Sequence, residues 1–167
     1  MIIMNKIKEK TNVMRILDQH KINYVIHDYT DSEVISGKDV AAYFNENEEK
    51  VFKTLVTIGK SNTNYVFLVP VNKDLDLKKA ASSVNEKNIE MIKSKDLLGL
   101  TGYIHGGCSP IGMKKTFKTV IDKTIYNNES IFISGGKIGY QIEIKVDDLK
   151  KIVNFITFDI TKEKENE

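Results

Sequence analysis

The hydrophobic residues of the chain fall into short runs whose spacing indicates β-strands more often than helices. Residues 51–58 predict one strand with side chains on two faces, and residues 64–71 are apolar almost throughout. A continuous apolar run of this length is typical of a strand that is buried on both faces. Further strands are predicted at residues 24–27, 88–92, 119–122, 131–133, 140–146 and 155–160.

Helices are predicted where apolar residues recur at a spacing of three or four. The clearest begins at Thr11 or Asn12, either of which can cap it. Its apolar face contains Val13, Ile16 and Leu17. Shorter helices are predicted with Ser36, Asp76, Ser94 and Asp147 as their N-terminal caps, and Gly99 is predicted to end the helix that Ser94 begins. Because strands outnumber helices and hairpins join most neighbours, we predict an α+β fold: a mixed, largely antiparallel β-sheet curled into a barrel with surrounding helices.

The length and composition are those of a single globular domain. The chain has 167 residues, of which 41% are hydrophobic, and this content is enough to build a core. We assign residues 1–160 to one domain. Residues 161–167 are almost all charged or polar, and we expect them to form a frayed C-terminal tail.

Charge and cysteine usage narrow the class of protein further. The net charge is only +2, so binding to a nucleic acid would need a local patch of lysines. The single cysteine, Cys108, cannot form an internal disulfide, and this is consistent with a reducing, cytoplasmic setting. His20, His27 and His105 are too dispersed for a metal motif, so neither a metal nor a cofactor is expected.

No membrane association is expected from the sequence. No apolar run approaches the roughly 20 residues that a membrane span needs. The first residues also lack the apolar centre of a signal peptide, because lysines interrupt them. The oligomeric state stays open, since no heptad pattern is present.

Residues 106–112, Gly-Gly-Cys-Ser-Pro-Ile-Gly, are the most distinctive stretch of the chain. Glycine allows a sharp turn and a close approach of a ligand to backbone N–H groups, and Pro110 stiffens the loop. A rigid loop of this kind suits a carbonyl, an oxyanion or a phosphate. The alternative is an ordinary tight turn between strands.

A second glycine turn, residues 134–137, separates the strands predicted at 131–133 and 140–146. It reads either as a hairpin loop or as a second wall of the cleft beside residues 106–112. Lys53, within the strand at 51–58, has two readings as well. Most strand lysines are solvated or protect a sheet edge, whereas a lysine in a cleft would hold an anion.

Four segments of the chain resemble, in order and spacing, the YbaK/EbsC family. These segments are residues 51–55, 75–79, 106–112 and 134–137, and the resemblance extends from about residue 11 to residue 160. Members of this family are free-standing aminoacyl-tRNA deacylases related to the editing domain of bacterial prolyl-tRNA synthetase. The resemblance implies a mixed β-barrel with packed helices. It also implies hydrolysis of a mischarged tRNA for proline, with prolyl-tRNA synthetase as a partner to consider.

The resemblance assigns roles to residues of this sequence. The strand lysine of the family corresponds to Lys53, its Gly-x-x-x-Pro loop to Gly106 and Pro110, and its second turn to Ser134 and Gly136. The residues implied to act in catalysis are Lys53, Gly106, Gly107, Ser134 and Gly136. The residues implied to contact the substrate are Tyr29, Ser36, Thr54, Cys108, Ser109, Pro110, Gly135 and Gln141.

Two positions depart from the pattern of the cysteine-specific members. Ser36 stands where those members tend to carry an aromatic residue, and Gln141 stands where they carry an aspartate. The YbaK branch removes cysteine from the tRNA, and sister branches remove alanine or another small amino acid. The two departures therefore bear on which amino acid is removed and leave the reaction class unchanged.

The predicted reaction is hydrolysis of the ester between an amino acid and the terminal ribose of tRNA. Backbone N–H groups of residues 106–110 would hold the carbonyl or its oxyanion, and Lys53 would anchor the tRNA 3′ end. Cys108 lacks a positioned base, because His105 lies only three residues away on the same loop. We therefore expect groups of the substrate itself, and not Cys108, to assist the reaction.

Two other classes of function stay open at this point. A non-catalytic tRNA-binding module would use a lysine patch on phosphates, formed by Lys114, Lys115, Lys118 and Lys137. Binding through that patch would be strongly sensitive to salt. In a protein-interaction domain, by contrast, the glycine loops would be no more than turns.

Overall fold

The computed structural model describes residues 10–30, 37–43 and 47–165, which form five α-helices, two 3-10 helices and ten strands. The α-helices are α1 (Asn12–Gln19), α2 (Gly37–Tyr43), α3 (Leu77–Ser83), α4 (Ser94–Thr101) and α5 (Val146–Ile152). The strands are β1 (Val25–Asp28), β2 (Phe52–Gly59), β3 (Asn64–Pro70), β4 (Lys73–Leu75), β5 (Ile89–Met91), β6 (Lys118–Asp122), β7 (Ser130–Ser134), β8 (Tyr140–Lys145), β9 (Phe155–Phe158) and β10 (Thr161–Glu163). The 3-10 helices are Glu48–Lys50 and Lys123–Asn127.

The largest sheet has five strands in the order β5-β2-β3-β6-β9. The β2–β3 hairpin is antiparallel, whereas β6 lies parallel to both β3 and β9. Every residue of β3 after Asn64 is buried, which confirms the prediction that this apolar strand is covered on both faces. Lys53 lies at the start of β2, opposite Val69.

Three further strands form an antiparallel sheet in the order β1-β8-β7. A single parallel bridge between Val51 and Phe132 connects this sheet to the five-stranded one. The α+β class and the mixed, largely antiparallel pairing are confirmed. Closure into a barrel is not, because within the described part of the chain the larger sheet ends at β5 and β9, which do not pair with each other.

Helix α1 begins as its cap residue predicts. The Thr11 hydroxyl accepts a hydrogen bond from the Met14 N–H at 3.2 Å and donates one to the Gly135 carbonyl at 2.7 Å. The helix buries Val13, Met14 and Leu17. The N-terminal helix is therefore attached to the second glycine turn, 124 residues further along the chain.

Three helix boundaries differ from the predicted ones. Helix α4 continues past Gly99 to Thr101, and its C-terminal cap is Gly102, whose φ of 86° is the left-handed geometry that stops a helix. Ser94 is its first residue and not its cap, and Lys93 precedes it without a capping side chain. Likewise Asp147 lies in the first turn of α5, where an acidic residue favours the helix N-terminus. The cap predicted at Ser36 lies outside the described residues.

The C-terminal segment differs from the frayed tail that the sequence predicts. Residues 161–163 form β10, which pairs antiparallel with β4. The pairing follows from the anchoring of Ile160, which is fully buried. Its N–H donates to Asp122 Oδ1 at 3.1 Å, and its carbonyl accepts from the Asp76 N–H at 2.8 Å.

No helix in the described ranges is long and apolar enough to cross a bilayer.

Candidate active site

The two glycine turns lie directly against each other. A Cβ placed on Gly107 would be 3.1 Å from both the Ile138 nitrogen and the Lys137 Cα, closer than side chains normally pack. Glycine at 107 therefore permits a backbone-to-backbone approach that any other residue would widen. The neighbouring Gly106 has a φ of +90°, which L side chains rarely adopt.

A cavity of about 580 Å³ opens between β2 and these turns. It brings together seven of the predicted site residues, from four separate parts of the sequence. They are Tyr29, Lys53, Thr54, Gly106, Cys108, Ser134 and Gln141. Of the other residues predicted to act in catalysis or to contact the substrate, Gly107, Ser109, Pro110, Gly135 and Gly136 do not line it. Ser36 lies outside the described residues.

Lys53 supplies a half-buried positive charge to the cavity. Its side chain is 31% exposed, and its Nζ lies 3.8 Å from Asp74 Oδ1. Burial lowers the pKa of Lys53, the nearby charge of Lys164 lowers it further, and Asp74 acts in the opposite direction. A cation that is partly removed from water and incompletely neutralised is a favourable partner for an anion.

Two buried polar atoms in the cavity wall have no hydrogen-bond partner among the described residues. They are Thr54 Oγ1 and Gln141 Oε1. Leaving a buried polar group unsatisfied costs about 1–3 kcal/mol, and native proteins seldom do so without a ligand or water to bind. These atoms therefore indicate a polar ligand in the cavity.

The backbone amides of the two turns divide into occupied and available groups. The N–H of Gly107 donates to the Ile104 carbonyl at 3.0 Å, and that of Gly135 to the Tyr140 carbonyl at 2.9 Å. The Gly136 N–H donates to Ser134 Oγ at 3.1 Å. Among the backbone hydrogen bonds of the described residues, none involves the N–H groups of Gly106 and Cys108. Because both residues line the cavity, their amides are candidates to bind a ligand.

Three residues that were predicted to act at the site, Gly136, Ser109 and Pro110, make contacts outside the cavity. Gly136, with a φ of +96°, has no room for a Cβ, which would lie 2.7 Å from Val13 Cγ2. Ser109 is fully buried, and its Oγ accepts a hydrogen bond from the Ile111 N–H at 3.1 Å. Pro110 lines a separate groove of about 440 Å³ together with Lys115 and Lys118. These contacts shape the turns without placing the three residues in the cavity wall.

The four lysines of the predicted patch are exposed. Lys114, Lys115 and Lys118 follow the first glycine turn, and Lys137 lies within the second. The methylene groups of Lys114 lie next to Gly102 at the end of α4. Binding of phosphates by this patch stays a prediction.

The Cys108 thiol is in the wrong protonation state for a nucleophile. Burial raises the pKa of Cys108 from 9.0 to about 12, and a hydrogen bond with Thr101 opposes this only in part. At neutral pH the group is therefore a neutral thiol, and thiols react chiefly as thiolates. This agrees with the expectation that Cys108 does not attack the substrate.

The protonation state of Cys108 can be tested by alkylation. A rise in pKa from 9.0 to about 12 lowers the thiolate fraction at pH 8 about 1,000-fold. Because a more basic thiolate is also more reactive, we expect iodoacetamide to react about 30-fold more slowly than with a free cysteine. Mass spectrometry would follow the reaction, and unfolding in urea should restore the fast rate. Fast alkylation of the folded protein would contradict the assignment.

Two titratable residues of the described cavity wall, His105 and Lys164, are not among the predicted site residues. His105 is exposed at the first glycine turn, and Lys164 reaches the wall from the segment after β10. The charged side chains that line the described part of the cavity are Lys53 and Lys164, with no carboxylate among them. Nor do the described residues contain a group of three or more His, Cys, Asp or Glu side chains suited to a metal ion. The site is therefore organised for an anion.

Comparisons with known proteins relate this chain to enzymes and domains that act on aminoacyl-tRNA. The family described as the aminoacyl-tRNA editing domain matches residues 31–152. A protein of Enterococcus faecalis, provisionally named Cys-tRNA(Pro)/Cys-tRNA(Cys) deacylase EbsC, is 41% identical over 150 residues, which cover 89% of this chain and 92% of that protein. A proline–tRNA ligase of Fervidobacterium nodosum is 24% identical over 145 residues, which cover 83% of this chain and 25% of the ligase.

Two solved structures share the fold. One, described provisionally as a trans-editing enzyme for prolyl-tRNA synthetase, superposes with a TM-score of 0.78 at 20% identity, covering 90% of this chain and 96% of that one. The other, described as a hypothetical protein, gives a TM-score of 0.82 at 17% identity and covers 90% of this chain and 99% of that one. At these identities the likeness concerns the fold alone.

Proposed function

Because the chain belongs to the aminoacyl-tRNA editing family, in its YbaK/EbsC group, we propose that it hydrolyses mischarged aminoacyl-tRNA, with Cys-tRNA(Pro) as the first candidate substrate. The observation that carries this proposal is the cavity itself. It brings a half-buried lysine together with two backbone amides and two polar side-chain atoms that have no hydrogen-bond partner among the described residues.

The proposed chemistry is ester hydrolysis by water. Water attacks the carbonyl carbon of the aminoacyl ester, the bond from that carbon to the ribose oxygen breaks, and free amino acid and the ribose hydroxyl leave. The negative charge that develops on the carbonyl oxygen is stabilised by the N–H groups of Gly106 and Cys108. Removal of one such donor typically slows an enzyme by about 100- to 1,000-fold.

The remaining cavity groups orient the substrate. Lys53 binds a phosphate near the tRNA 3′ end and so fixes the ester against the glycine turns. The Ser134 hydroxyl accepts its hydrogen bond from Gly136, so its proton is free to point at a substrate oxygen. No residue of the described wall is placed as an activated nucleophile, and the ribose hydroxyl or the thiol of the substrate assists the attacking water.

The amino acid occupies the part of the cavity near Thr54 and Gln141. An aminoacyl ester carries an α-amino group, and its protonated form donates three hydrogen bonds. The buried Gln141 Oε1 and Thr54 Oγ1 lack partners in the described part of the chain and can accept from that group. Gln141 is uncharged where cysteine-specific members carry an aspartate, and because of this departure alanine or another small acyl group stays the second candidate.

The function is tested by incubating purified protein with tRNA(Pro) charged with cysteine, with alanine or with proline. We expect release of cysteine, or of alanine if Gln141 reshapes the site, while Pro-tRNA(Pro) stays intact. Amino acid release from a 3′-labelled tRNA gives the rate. The absence of hydrolysis for every acyl group would contradict the proposal and leave the non-catalytic tRNA-binding module as the better account.

Replacing Gln141 by leucine is expected to lower kcat/KM about 10-fold, because it removes a buried acceptor whose hydrogen bond is worth about 1–1.5 kcal/mol. We expect the same loss for Cys-tRNA(Pro) and Ala-tRNA(Pro), since the α-amino group is common to both. A loss confined to the cysteine ester would instead assign Gln141 to the substrate thiol. An unchanged rate for both esters would show that Gln141 does not bind the substrate.

The proposed substrate also sets where the protein works. Charged tRNA is made and used where translation occurs, so the function requires a cytoplasmic location. Similarity to a segment of a proline–tRNA ligase supports prolyl-tRNA synthetase as the enzyme whose errors are corrected. In a transient complex with that synthetase, the mischarged tRNA would pass from the synthetase to this protein before the tRNA is released into solution.

A further inference from the structure

The segment that follows β10 adds a second cation to the cavity. Lys164 contributes to the same wall as Lys53, although the two residues are 111 positions apart in the sequence. The two ammonium groups are close enough for the charge of Lys164 to act on Lys53. Lys164 also lies beyond residues 31–152, the part of the chain that matches the editing family.

The position of Lys164 is fixed by the strand before it. Thr161 pairs with Leu75, Lys162 with Asp74 and Glu163 with Lys73 in the β10–β4 ladder. The Lys79 ammonium donates to the Thr161 carbonyl at 2.9 Å, and also forms an ion pair with Asp159. Lys73 and Glu163 form a second ion pair immediately before Lys164. These contacts direct the next residue towards β2.

Within the described part of the chain, the neighbouring charges pair with one another and not with Lys164. Lys162 pairs with Glu165 at 4.0 Å, and Lys53 pairs with Asp74 at 3.8 Å. Lys164 forms no ion pair with any residue that the structure describes. Two neighbouring ammonium groups repel each other, and an anion bound between them converts this repulsion into attraction.

The chemistry of the substrate identifies that anion. In an aminoacyl ester the carboxyl group is esterified, so the amino acid moiety carries no negative charge. The anions nearest the ester are the phosphates of the single-stranded tRNA 3′ end. We propose that Lys164 and Lys53 together bind one phosphate of that 3′ end, so that the C-terminal strand β10 forms part of the substrate site.

This inference rests on the proposed function for the nature of the RNA, and it adds a binding residue to the site. Its role differs from that of the exposed lysines around the glycine turns. Those lysines would add general affinity for the body of the tRNA, whereas Lys164 would bind one phosphate next to the ester. Lys164 is therefore a binding residue for the tRNA 3′ end, and Lys53 is the residue that orients the ester.

Lys164→Ala is the direct test, with Lys162→Ala as its matched control. Both lysines are exposed and lie in the same segment, but Lys162 does not line the cavity. We expect Lys164→Ala to raise KM for the aminoacyl-tRNA about 5- to 10-fold with kcat within about twofold, the pattern of lost binding that is shared by ground and transition states. Lys162→Ala should match the wild type, and Lys164→Arg should restore most of the affinity. Equal effects of the two alanine variants would overturn the proposal.

Two further readouts separate a phosphate contact from a structural effect. Loss of one contact to single-stranded RNA should reduce the slope of log K against log salt by about 0.7. The charge of Lys164 also lowers the pKa of Lys53, so its removal should move the alkaline limb of the pH–rate profile to higher pH. An unchanged salt slope would overturn the phosphate contact, even if the affinity had fallen.

Failure of this inference can be distinguished from failure of the proposed function. The probe is a short fluorescent RNA that ends in CCA and carries no amino acid, so that binding is measured without hydrolysis. If Lys164→Ala binds this RNA more weakly but the wild-type protein hydrolyses no ester, the phosphate site is supported and the deacylase function is rejected. If the wild-type protein is an active deacylase but Lys164→Ala binds the RNA as well as the wild type, the function is supported and the phosphate site is rejected.

Discussion

Replacing Lys53 by alanine is expected to lower kcat/KM for deacylation by about 100-fold, the scale of effect that a misplaced substrate has on an enzyme. Lys53 is the second residue of β2, its side chain is only 31% exposed, and it lines the same cavity as Gly106 and Cys108. Without it the tRNA 3′ end loses the contact that holds the ester against the amides. Single-turnover rates measured with saturating enzyme would show the loss in the chemical step.

The fold should tolerate this change, because the ion pair with Asp74 is partly exposed and pairs of that kind contribute less than about 1 kcal/mol. Circular dichroism and thermal melting would check this point. Affinity for uncharged tRNA should fall no further than in Lys164→Ala. Lys60→Ala, at an exposed lysine just after the end of β2, is the matched control. A Lys53→Ala protein that hydrolyses as fast as the wild type would show that the site is assigned wrongly.

Replacing Gly106 by alanine is expected to cause a second large loss, of about 100-fold in kcat. The residue has a φ of +90°, and an alanine Cβ there would lie 3.3 Å from Ile138 Cγ1. Left-handed backbone costs a non-glycine residue about 1–2 kcal/mol, so we expect the backbone to rotate away from it and to reorient the Gly106 N–H. The reaction would then lose an oxyanion donor while the core stays intact.

Gly99→Ala provides the control for Gly106→Ala. Gly99 lies inside α4, and a Cβ at this position would meet nothing within 4 Å. Alanine is the better helix former by about 0.5–1 kcal/mol, so the control should melt slightly higher and keep full activity. If Gly106→Ala retained the wild-type kcat, the oxyanion would have to be held elsewhere than at the first glycine turn.

Local features of this fold could be predicted from the sequence because their causes are local. Thr11 caps α1 and Asp76 caps α3 through side-chain bonds to amides two or three residues ahead. The apolar run of β3 likewise indicates its own burial. The resemblance to the YbaK/EbsC family, carried by four short segments, also identified the family correctly.

The features that could not be predicted depend on contacts between distant residues. Gly136 resembles a site residue in sequence, yet its requirement for glycine comes from Val13 in α1. Lys164 belongs to a polar segment with no strand pattern, and only the edge of β4 converts that segment into β10. The parallel contacts of β6 with β3 and β9 also join segments that are distant in the sequence, so a pattern of neighbouring hairpins does not predict them.

The attachment of α1 to both glycine turns has a consequence for where the functional unit begins and ends. The Thr11 hydroxyl donates a hydrogen bond to the Gly135 carbonyl, and Val13 packs against Gly136. A Cβ on Gly112 would lie 2.7 Å from Ile16 Cδ1, so Ile16 packs against the first glycine turn. Residues 31–152, which match the editing family, contain both turns but neither α1 nor β10. A protein shortened to residues 31–152 would retain Lys53 and the glycine turns, but it would lose α1 and β10, which pack against the turns and carry Lys164 to the cavity. In this chain the smallest autonomous catalyst is therefore larger than the segment by which its family is identified.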